Sequence, residues 1–125
     1  MWTCLAALSG FIAVAAGAFG DHGLRGKISD EMLRVWNVAA HYQLTHSIVM
    51  AALSLAAGDR SPRLKTACLA CFLAGVGIFS GSLYVLALTE VKILGAITPI
   101  GGIGMLAGWA LLAAYGVRCS RQMPG

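Results

Sequence analysis

The chain has 125 residues, of which 58% are hydrophobic and 11% charged, and its mean hydropathy is +0.79. Soluble domains carry about 25% charged residues, so this composition excludes an ordinary soluble protein and indicates an integral membrane protein. The net charge of +4 does not indicate a nucleic-acid partner, because the nine basic residues are scattered between the apolar windows and form no basic stripe.

Four windows without charged residues, at 1–20, 35–58, 66–89 and 93–117, predict the secondary structure. Each is long enough to cross a bilayer, which takes about 20 residues. We predict one all-α membrane domain, an antiparallel up-down four-helix bundle in contact with the lipid bilayer. Its spans are predicted at about 2–20, 36–57, 66–89 and 98–117, with a short charged turn at 58–63 and a flexible tail at 118–125.

The start of the second helix and the start of the fourth each have a local signal. Ser29 is the predicted N-cap of the second helix, followed by two acidic residues, and Trp36 is predicted to lie at the membrane interface. The fourth helix is predicted to begin with Thr98 as its N-cap and Pro99 as its first helical residue, because this arrangement strains the backbone least. Residues 91–97 are then expected to form a re-entrant or broken segment before the fourth helix.

The distribution of Lys and Arg predicts the orientation of the four spans. The second loop and the tail carry five basic residues, against four in the first and third loops. This excess favours both termini on the cytoplasmic side. The five are Arg60, Arg63, Lys65, Arg118 and Arg121, and the four are Arg25, Lys27, Arg34 and Lys92.

Four polar stretches, at 21–22, 42–46, 80–84 and 98–99, share one half of the bundle under this topology. We therefore predict a polar pocket that opens toward the first and third loops. Tyr42, Gln43 and His46 share one helix face, whereas His41 lies on another. The pocket residues are predicted to be His22, Tyr42, Gln43, His46, Ser80, Ser82, Tyr84, Thr98 and Pro99.

His46 admits several interpretations. It is either a buried imidazole that is hydrogen-bonded to Ser82, Tyr84 or Thr98, or a group for ligand binding or proton handling. A metal site with His22 and Asp21, or haem ligation by the two histidines, is a third reading that the sequence supports less. The chain has no Ser-His-Asp spacing, no phosphate-binding glycine loop and no pair of intramembrane carboxylates. We expect no enzymatic activity, no cofactor and no metal.

The cysteines and glycines are predicted to pack helices together. Cys68 and Cys71 lie one turn apart, which would permit a metal or redox pair, but neighbouring alanines favour packing. Two small-residue patterns predict close helix contacts, and they comprise Gly77, Gly81, Gly104 and Gly108.

Four ordered motifs resemble the YgdD/YwdK family of small four-span membrane proteins of bacterial inner membranes, which has a relative in animal mitochondria. They are Gly17-Ala18-Phe19-Gly20-x-His22-Gly23-Leu24, Tyr42-Gln43-x-x-His46, Phe79-Ser80-Gly81-Ser82-Leu83-Tyr84 and Ile97-Thr98-Pro99-Ile100-Gly101-Gly102 with Gly108-Trp109. Asp21 and His41 depart from the family pattern. The resemblance implies an architecture and a bacterial inner membrane, and the function of the family is uncharacterised.

Two functions are compatible with these features. The first is a small accessory or assembly component that associates with other membrane proteins or with copies of itself. The alternative is a protein that binds or transports a small polar molecule or a lipid headgroup through a pocket formed by His22, His46 and Tyr84.

Overall fold

The computed structural model describes residues 1–56 and 61–121, which form four α-helices and one π-helical turn. The helices are α1 (Trp2–Phe19), α2 (Asp30–Leu55), α3 (Pro62–Thr89) and α4 (Ile93–Arg121), and the π-helical turn Gly20–Leu24 extends α1. Ser29 caps α2 as the sequence predicts, since its hydroxyl accepts a hydrogen bond from the Met32 amide at 3.2 Å. The predicted turn at 58–63 falls in part on residues 57–60, outside the described residues.

Each helix packs mainly on the helix that precedes or follows it, so that α2 lies between α1 and α3, and α3 lies between α2 and α4. Two clusters of buried apolar residues hold the helices together. The first joins all four helices through Ala6, Met50, Leu53, Cys68, Leu69, Phe72 and Tyr115. The second joins Leu24, Trp36 and Ala87. The end of the bundle that holds the first cluster, with Lys65 beside it, is called the Lys65 end. The opposite end, which holds the second cluster, is called the Trp36 end.

Trp36, predicted to lie at the membrane interface, is buried within the bundle, and its depth relative to a membrane stays a prediction. Only 8% of its surface is exposed, and its indole N–H donates to the carbonyl oxygen of Ala16 at 2.7 Å. Its ring also lies 4.6 Å from that of Tyr84. A π-helical turn begins four residues after Ala16, so this tryptophan packs where α1 changes its winding.

The start of α4 differs from its prediction. The helix begins at Ile93, and Pro99 lies inside it, so Thr98 is not an N-cap and residues 93–97 are not a separate segment. A proline in a helix removes one backbone hydrogen bond, a loss that membrane helices tolerate when nearby groups compensate. Here the Thr98 hydroxyl donates to the Leu94 carbonyl oxygen at 3.0 Å, one turn back. At its other end, α4 continues through Arg121, four residues into the predicted tail, and residues 122–125 lie outside the described residues.

Three helices are long and apolar enough to cross a membrane, namely Trp2–Leu24, Pro62–Thr89 and Ile93–Arg121. The predicted second span, 36–57, is not among them within the described residues. Its helix, α2, carries the polar run from His41 to Ser47 and is the least apolar of the four. Large apolar side chains cover the outer faces of the neighbouring helices, with Phe11 73% and Leu106 69% exposed. Such faces are stable against lipid.

Close contact between α3 and α4 depends on glycine. A Cβ built on Gly75 would lie 2.6 Å from the Met105 amide nitrogen, and one built on Gly101 would collide with the Phe79 backbone. Gly104 faces Gly75 and Gly108 lies under the Phe72 ring, so both lie in the α3–α4 contact. Gly77 and Gly81 differ from their prediction, because a Cβ on either would meet no atom within 4 Å.

Candidate functional site

The first candidate site is a groove of about 340 Å³ between α1 and α3, with α2 beneath it. Gln43 is the centre of its polar floor and is 8% exposed. The Gln43 amide nitrogen donates to the Ser9 carbonyl oxygen at 3.0 Å, and the Tyr84 hydroxyl donates to the Gln43 amide oxygen at 2.8 Å. A single side chain of α2 therefore joins α1 to α3. The walls are mainly apolar and include Leu5, Leu8, Ile12, Leu73, Val76, Gly77 and Gly81.

Two hydroxyl groups extend this polar floor along the helices. The Ser47 hydroxyl donates to the Ser9 hydroxyl at 2.8 Å, and the Ser80 hydroxyl donates to the Ala39 carbonyl oxygen at 2.8 Å. Ser9, Ser47 and Ser80 are each at least 91% buried. The network thus ties α2 to both of its neighbours where lipid would provide no hydrogen-bond partner.

The second candidate site is a cavity of about 380 Å³ between α2, α3 and α4, lined largely by aromatic and apolar side chains. His46 and Trp109 meet at its edge, and the Trp109 indole N–H donates to His46 Nε2 at 3.2 Å. His46 Nδ1 lies 2.8 Å from the Tyr42 carbonyl oxygen. A carbonyl only accepts and an indole N–H only donates, so Nδ1 carries the hydrogen and Nε2 accepts. The interpretation of His46 as a buried, hydrogen-bonded imidazole agrees with its 5% exposure, but its partners are Tyr42 and Trp109 rather than Ser82, Tyr84 or Thr98.

Aromatic rings surround the imidazole on several sides. The Tyr42 ring stacks on it with a centroid distance of 6.0 Å and an interplanar angle of 13°, and the Phe72 centroid lies 5.5 Å away. Tyr42 is itself 41% exposed. The prediction that Tyr42 faces inward with Gln43 and His46 is therefore only partly matched by the structure.

The remaining predicted pocket residues lie at other places. Pro99 lines the second cavity. Ser82 and Thr98 form a separate buried pair between α3 and α4, with their hydroxyl oxygens 2.8 Å apart. His22 is exposed on the π-helical turn, and it forms no hydrogen bond or ring contact with His46 among the described residues. The structure distributes the predicted residues over two cavities, one buried pair and one exposed turn.

Sequence reasoning missed two residues that are central to these sites. Ser9 is not among the predicted pocket residues, although a hydroxyl in an apolar window is a usable signal for an interhelical hydrogen bond. Trp109 was noted only as part of a motif after Gly108. No sequence signal identified its indole as the partner of His46, because that contact joins residues 63 positions apart.

The buried polar groups of the described residues serve structural contacts. Every buried side-chain nitrogen or oxygen atom in that part of the chain has a hydrogen-bond partner. Residues 1–56 and 61–121 contain no group of three or more His, Cys, Asp or Glu side chains that could hold a metal ion. Cys68 is fully buried, and its thiol donates to the Gly108 carbonyl oxygen at 3.2 Å. These contacts suit helix association better than acid–base or redox chemistry.

Comparison with known proteins shows the family to which the chain is similar. A family model described as "Protein of unknown function (DUF423)" matches residues 16–102. No solved structure matches the chain.

Among similar proteins, the UPF0382 membrane protein SH2409 of Staphylococcus haemolyticus is 46% identical over 112 residues, covering 90% of this chain and 91% of the relative. The UPF0382 membrane protein SERP0230 of Staphylococcus epidermidis is 47% identical over 108 residues, covering 86% of this chain and 88% of the relative. The UPF0382 membrane protein YwdK of Bacillus subtilis is 39% identical over 116 residues, covering 91% of this chain and 94% of the relative. The resemblance to the YwdK family is thereby confirmed.

Proposed function

Because the chain belongs to the DUF423 family, whose relatives include UPF0382 membrane proteins of bacteria, we propose that it is a non-enzymatic accessory component of a bacterial inner membrane that associates with another membrane protein. The groove between α1 and α3 carries this proposal. Its proposed occupant is one apolar transmembrane helix of the partner.

The open glycines of the groove support a helix as the occupant. Gly77 and Gly81 lie one turn apart on α3 and line the groove with open space around them. Glycines at this spacing allow the backbone of a second helix to approach closely. A lipid chain does not need such a surface, whereas a helix gains contacts from it. The apolar walls of the groove suit the side chains of a membrane-spanning helix.

Four spanning helices in antiparallel order are part of the proposal. Contacts between α1 and α2 support this order, because residue numbers rise along α1 as they fall along α2. The α2–α3 contacts show the same pattern. The α1–α2 pairs are Thr3 with Ser54, Ser9 with Ser47 and Ala16 with Trp36, and the α2–α3 pairs are Trp36 with Tyr84, His46 with Phe72 and Ala56 with Lys65. At 26 residues, α2 is about 39 Å long, which is sufficient for a span.

Site-specific photo-crosslinking in native membranes tests the accessory role. A photoreactive residue at Leu8, which is 56% exposed on the groove wall, should yield an adduct with a distinct protein. The same residue at Ile48, 62% exposed and outside the groove lining, serves as the control. Gly81→Leu should abolish the Leu8 adduct, whereas Gly116→Leu, at an exposed and open helix position, should leave it unchanged.

Two results would contradict this proposal. Adducts with lipid alone at Leu8 would show that the groove faces the bilayer. An adduct of twice the chain's mass would show that the groove binds a second copy of this chain rather than a different protein.

The alternative function, binding or transport of a small polar molecule or lipid headgroup through His22, His46 and Tyr84, has less support. Tyr84 lines the first groove, His46 lines the second cavity, and His22 is exposed on the π-helical turn. A ligand that stabilises the wild type but neither His46→Ala nor Tyr84→Phe would restore the alternative, since it would require both residues at one site.

A further inference from the structure

The second cavity, between α2, α3 and α4, is lined by a tyrosine whose hydroxyl has no partner in the described chain. Tyr42 is 41% exposed and lines this cavity. Its backbone carbonyl accepts from His46 Nδ1, but its phenolic hydroxyl makes no hydrogen bond within residues 1–56 and 61–121. This hydroxyl is therefore available to a group from outside the chain.

Tyr42 lies at mid-height of the bundle. It is the thirteenth of the 26 residues of α2, about 18 Å from the start of the helix. Its ring contacts that of Phe79, with centroids 4.8 Å apart, in the middle of a helix that is long and apolar enough to cross a membrane. An unpaired hydroxyl in hydrocarbon costs about 1–3 kcal/mol. A ligand with a hydrogen-bond acceptor would remove this cost.

The other donors in the cavity lining are already engaged. His46 Nδ1–H donates to the Tyr42 carbonyl oxygen, and the Trp109 indole N–H donates to His46 Nε2. Among the described residues, the lining includes no Asp, Glu, Lys or Arg. One free donor without a charged group suits a neutral ligand with a carbonyl oxygen, whereas an ion or a charged headgroup would be costly at this depth.

Four ring side chains form a continuous row along the cavity. The centroid distances are 4.8 Å from Phe79 to Tyr42, 6.0 Å from Tyr42 to His46 and 6.1 Å from His46 to Trp109. Each aromatic contact is worth about 0.5–1.5 kcal/mol beyond the burial of its area. A flat ring gains such contacts in this cavity, and an acyl chain does not.

The α4 side of the cavity leaves room for a ring and adjoins the outer surface of the bundle. A Cβ built on Gly102, which lines the cavity, meets no atom within 4 Å. Ile103 and Leu106 also line it and are 67% and 69% exposed. The volume of about 380 Å³ lies in the range of small-molecule sites. A ligand in the cavity can therefore extend an apolar tail into the lipid past these two side chains.

We propose that the second cavity binds the ring of an isoprenoid quinone. The Tyr42 hydroxyl donates to one quinone carbonyl, the row of aromatic side chains packs on the ring, and the isoprenoid tail lies along Ile103 and Leu106. The inference requires α3 and α4 to span the membrane. It does not depend on the partner helix proposed for the groove between α1 and α3, which is a separate site.

Ligand-dependent thermal stability of the purified protein in a non-ionic detergent tests this site. A decyl-substituted benzoquinone should raise the melting temperature in a saturable manner, by about 5 °C at concentrations far above its Kd. Decylbenzene has the ring and the tail but no carbonyl, so it should bind about fivefold more weakly, as expected for loss of one hydrogen bond. Equal affinity for the two compounds would overturn the proposal.

Two variants test the residues assigned to the site. Gly102→Leu should abolish stabilisation by the quinone, because its side chain fills the open space, whereas Gly116→Leu, at another open position of α4, should leave it unchanged. Tyr42→Phe should weaken quinone binding about fivefold and leave decylbenzene binding unchanged. This variant keeps the ring and removes no hydrogen bond within the described residues, so it should fold like the wild type.

Two further outcomes would overturn the assignment. Equal quinone affinity of the wild type and Tyr42→Phe would show that the hydroxyl does not contact the ligand. Loss of quinone binding in Gly81→Leu but not in Gly102→Leu would place the ligand in the groove between α1 and α3 instead.

Discussion

His46 illustrates how buried polar side chains in this protein are used in hydrogen bonds between and within helices. Its Nδ1–H donates to the Tyr42 carbonyl oxygen, and its Nε2 accepts from the Trp109 indole. The lone pair that could bind a metal or haem iron is therefore already in use. Ligation by His46 would require Trp109 to move away, so the metal and haem readings of the sequence lose their central ligand.

The hydroxyl of Tyr84 provides a prediction at the residue scale. Tyr84→Phe removes the donor to the Gln43 amide oxygen, leaving a buried acceptor without its partner. We expect a loss of about 1 kcal/mol in the free energy of unfolding, within the range for interhelical hydrogen bonds in membranes. Thermal unfolding in detergent measures it. Tyr42→Phe is the control, because the Tyr42 hydroxyl makes no hydrogen bond within the described residues, and equal losses in both variants would refute the role of the Gln43 contact.

At the scale of elements, the contact between α3 and α4 is set by backbone approach rather than by large side chains. Gly75 on α3 and Gly101 on α4 lie where any Cβ would strike the backbone of the other helix. Dispersion contacts between closely approaching backbones replace the hydrophobic effect as the source of stability inside a bilayer. The position of α4, and with it the second cavity, depends on these two glycines.

Adjacent glycines in α4 allow a direct test of that contact. Gly101→Ala places a Cβ against the Phe79 backbone and should destabilise the protein by about 1–3 kcal/mol, because α3 and α4 must move apart. Gly102→Ala meets no atom within 4 Å and should be neutral or stabilising by up to about 1 kcal/mol, since alanine favours a helix. Unfolding in a denaturing detergent compares the two. If Gly102→Ala is the more harmful change, the helices do not pack as described.

At the scale of the whole molecule, the uneven distribution of charge predicts how the bundle lies in the membrane. Within residues 1–56 and 61–121, the Lys65 end, which holds the start of α1 and the end of α4, carries four basic and no acidic side chains, whereas four basic and four acidic side chains cancel at the Trp36 end. Basic residues close to membrane spans are retained on the cytoplasmic side. We expect the Lys65 end to face the cytoplasm.

Cysteine labelling in intact cells tests this orientation. In a variant without native cysteines, Lys27→Cys at the Trp36 end should react with a membrane-impermeant maleimide from outside. Ser120→Cys at the Lys65 end should react only after the membrane is permeabilised. Both positions are exposed, so accessibility within the protein does not confound the comparison. The reverse labelling pattern would place the Lys65 end outside.

Much of the fold follows from the sequence, because long uncharged windows and a strong N-cap such as Ser29 depend only on local chemistry. The start of α4 did not follow. Pro99 suits both the first turn of a helix and the interior of a membrane helix, and the choice depends on compensating contacts such as that of Thr98.

The candidate sites were less predictable than the helices. Their polar residue types were recognised, yet the rotation of each helix decides which of them meet. The sequence therefore predicts Tyr84 and His46 in one pocket. In the structure, Tyr84 is hydrogen-bonded to Gln43, and His46 is hydrogen-bonded to Trp109. Gly77 and Gly81 fit a packing pattern equally well whether their partner lies within the chain or outside it, and only the structure shows open space beside them.

The modest apolarity of α2 bears on how the chain enters the membrane during synthesis. A segment with Gln43, Ser47 and His46 at its middle partitions poorly into lipid by itself. Gln43 and Ser47 find partners on α1, which precedes α2 in the chain, through the Ser9 contacts. We therefore expect α1 and α2 to enter the lipid together, as a hairpin in which the hydrogen bonds of Ser9 with Gln43 and Ser47 have already formed. Insertion and folding of α2 would then be a single step that depends on α1.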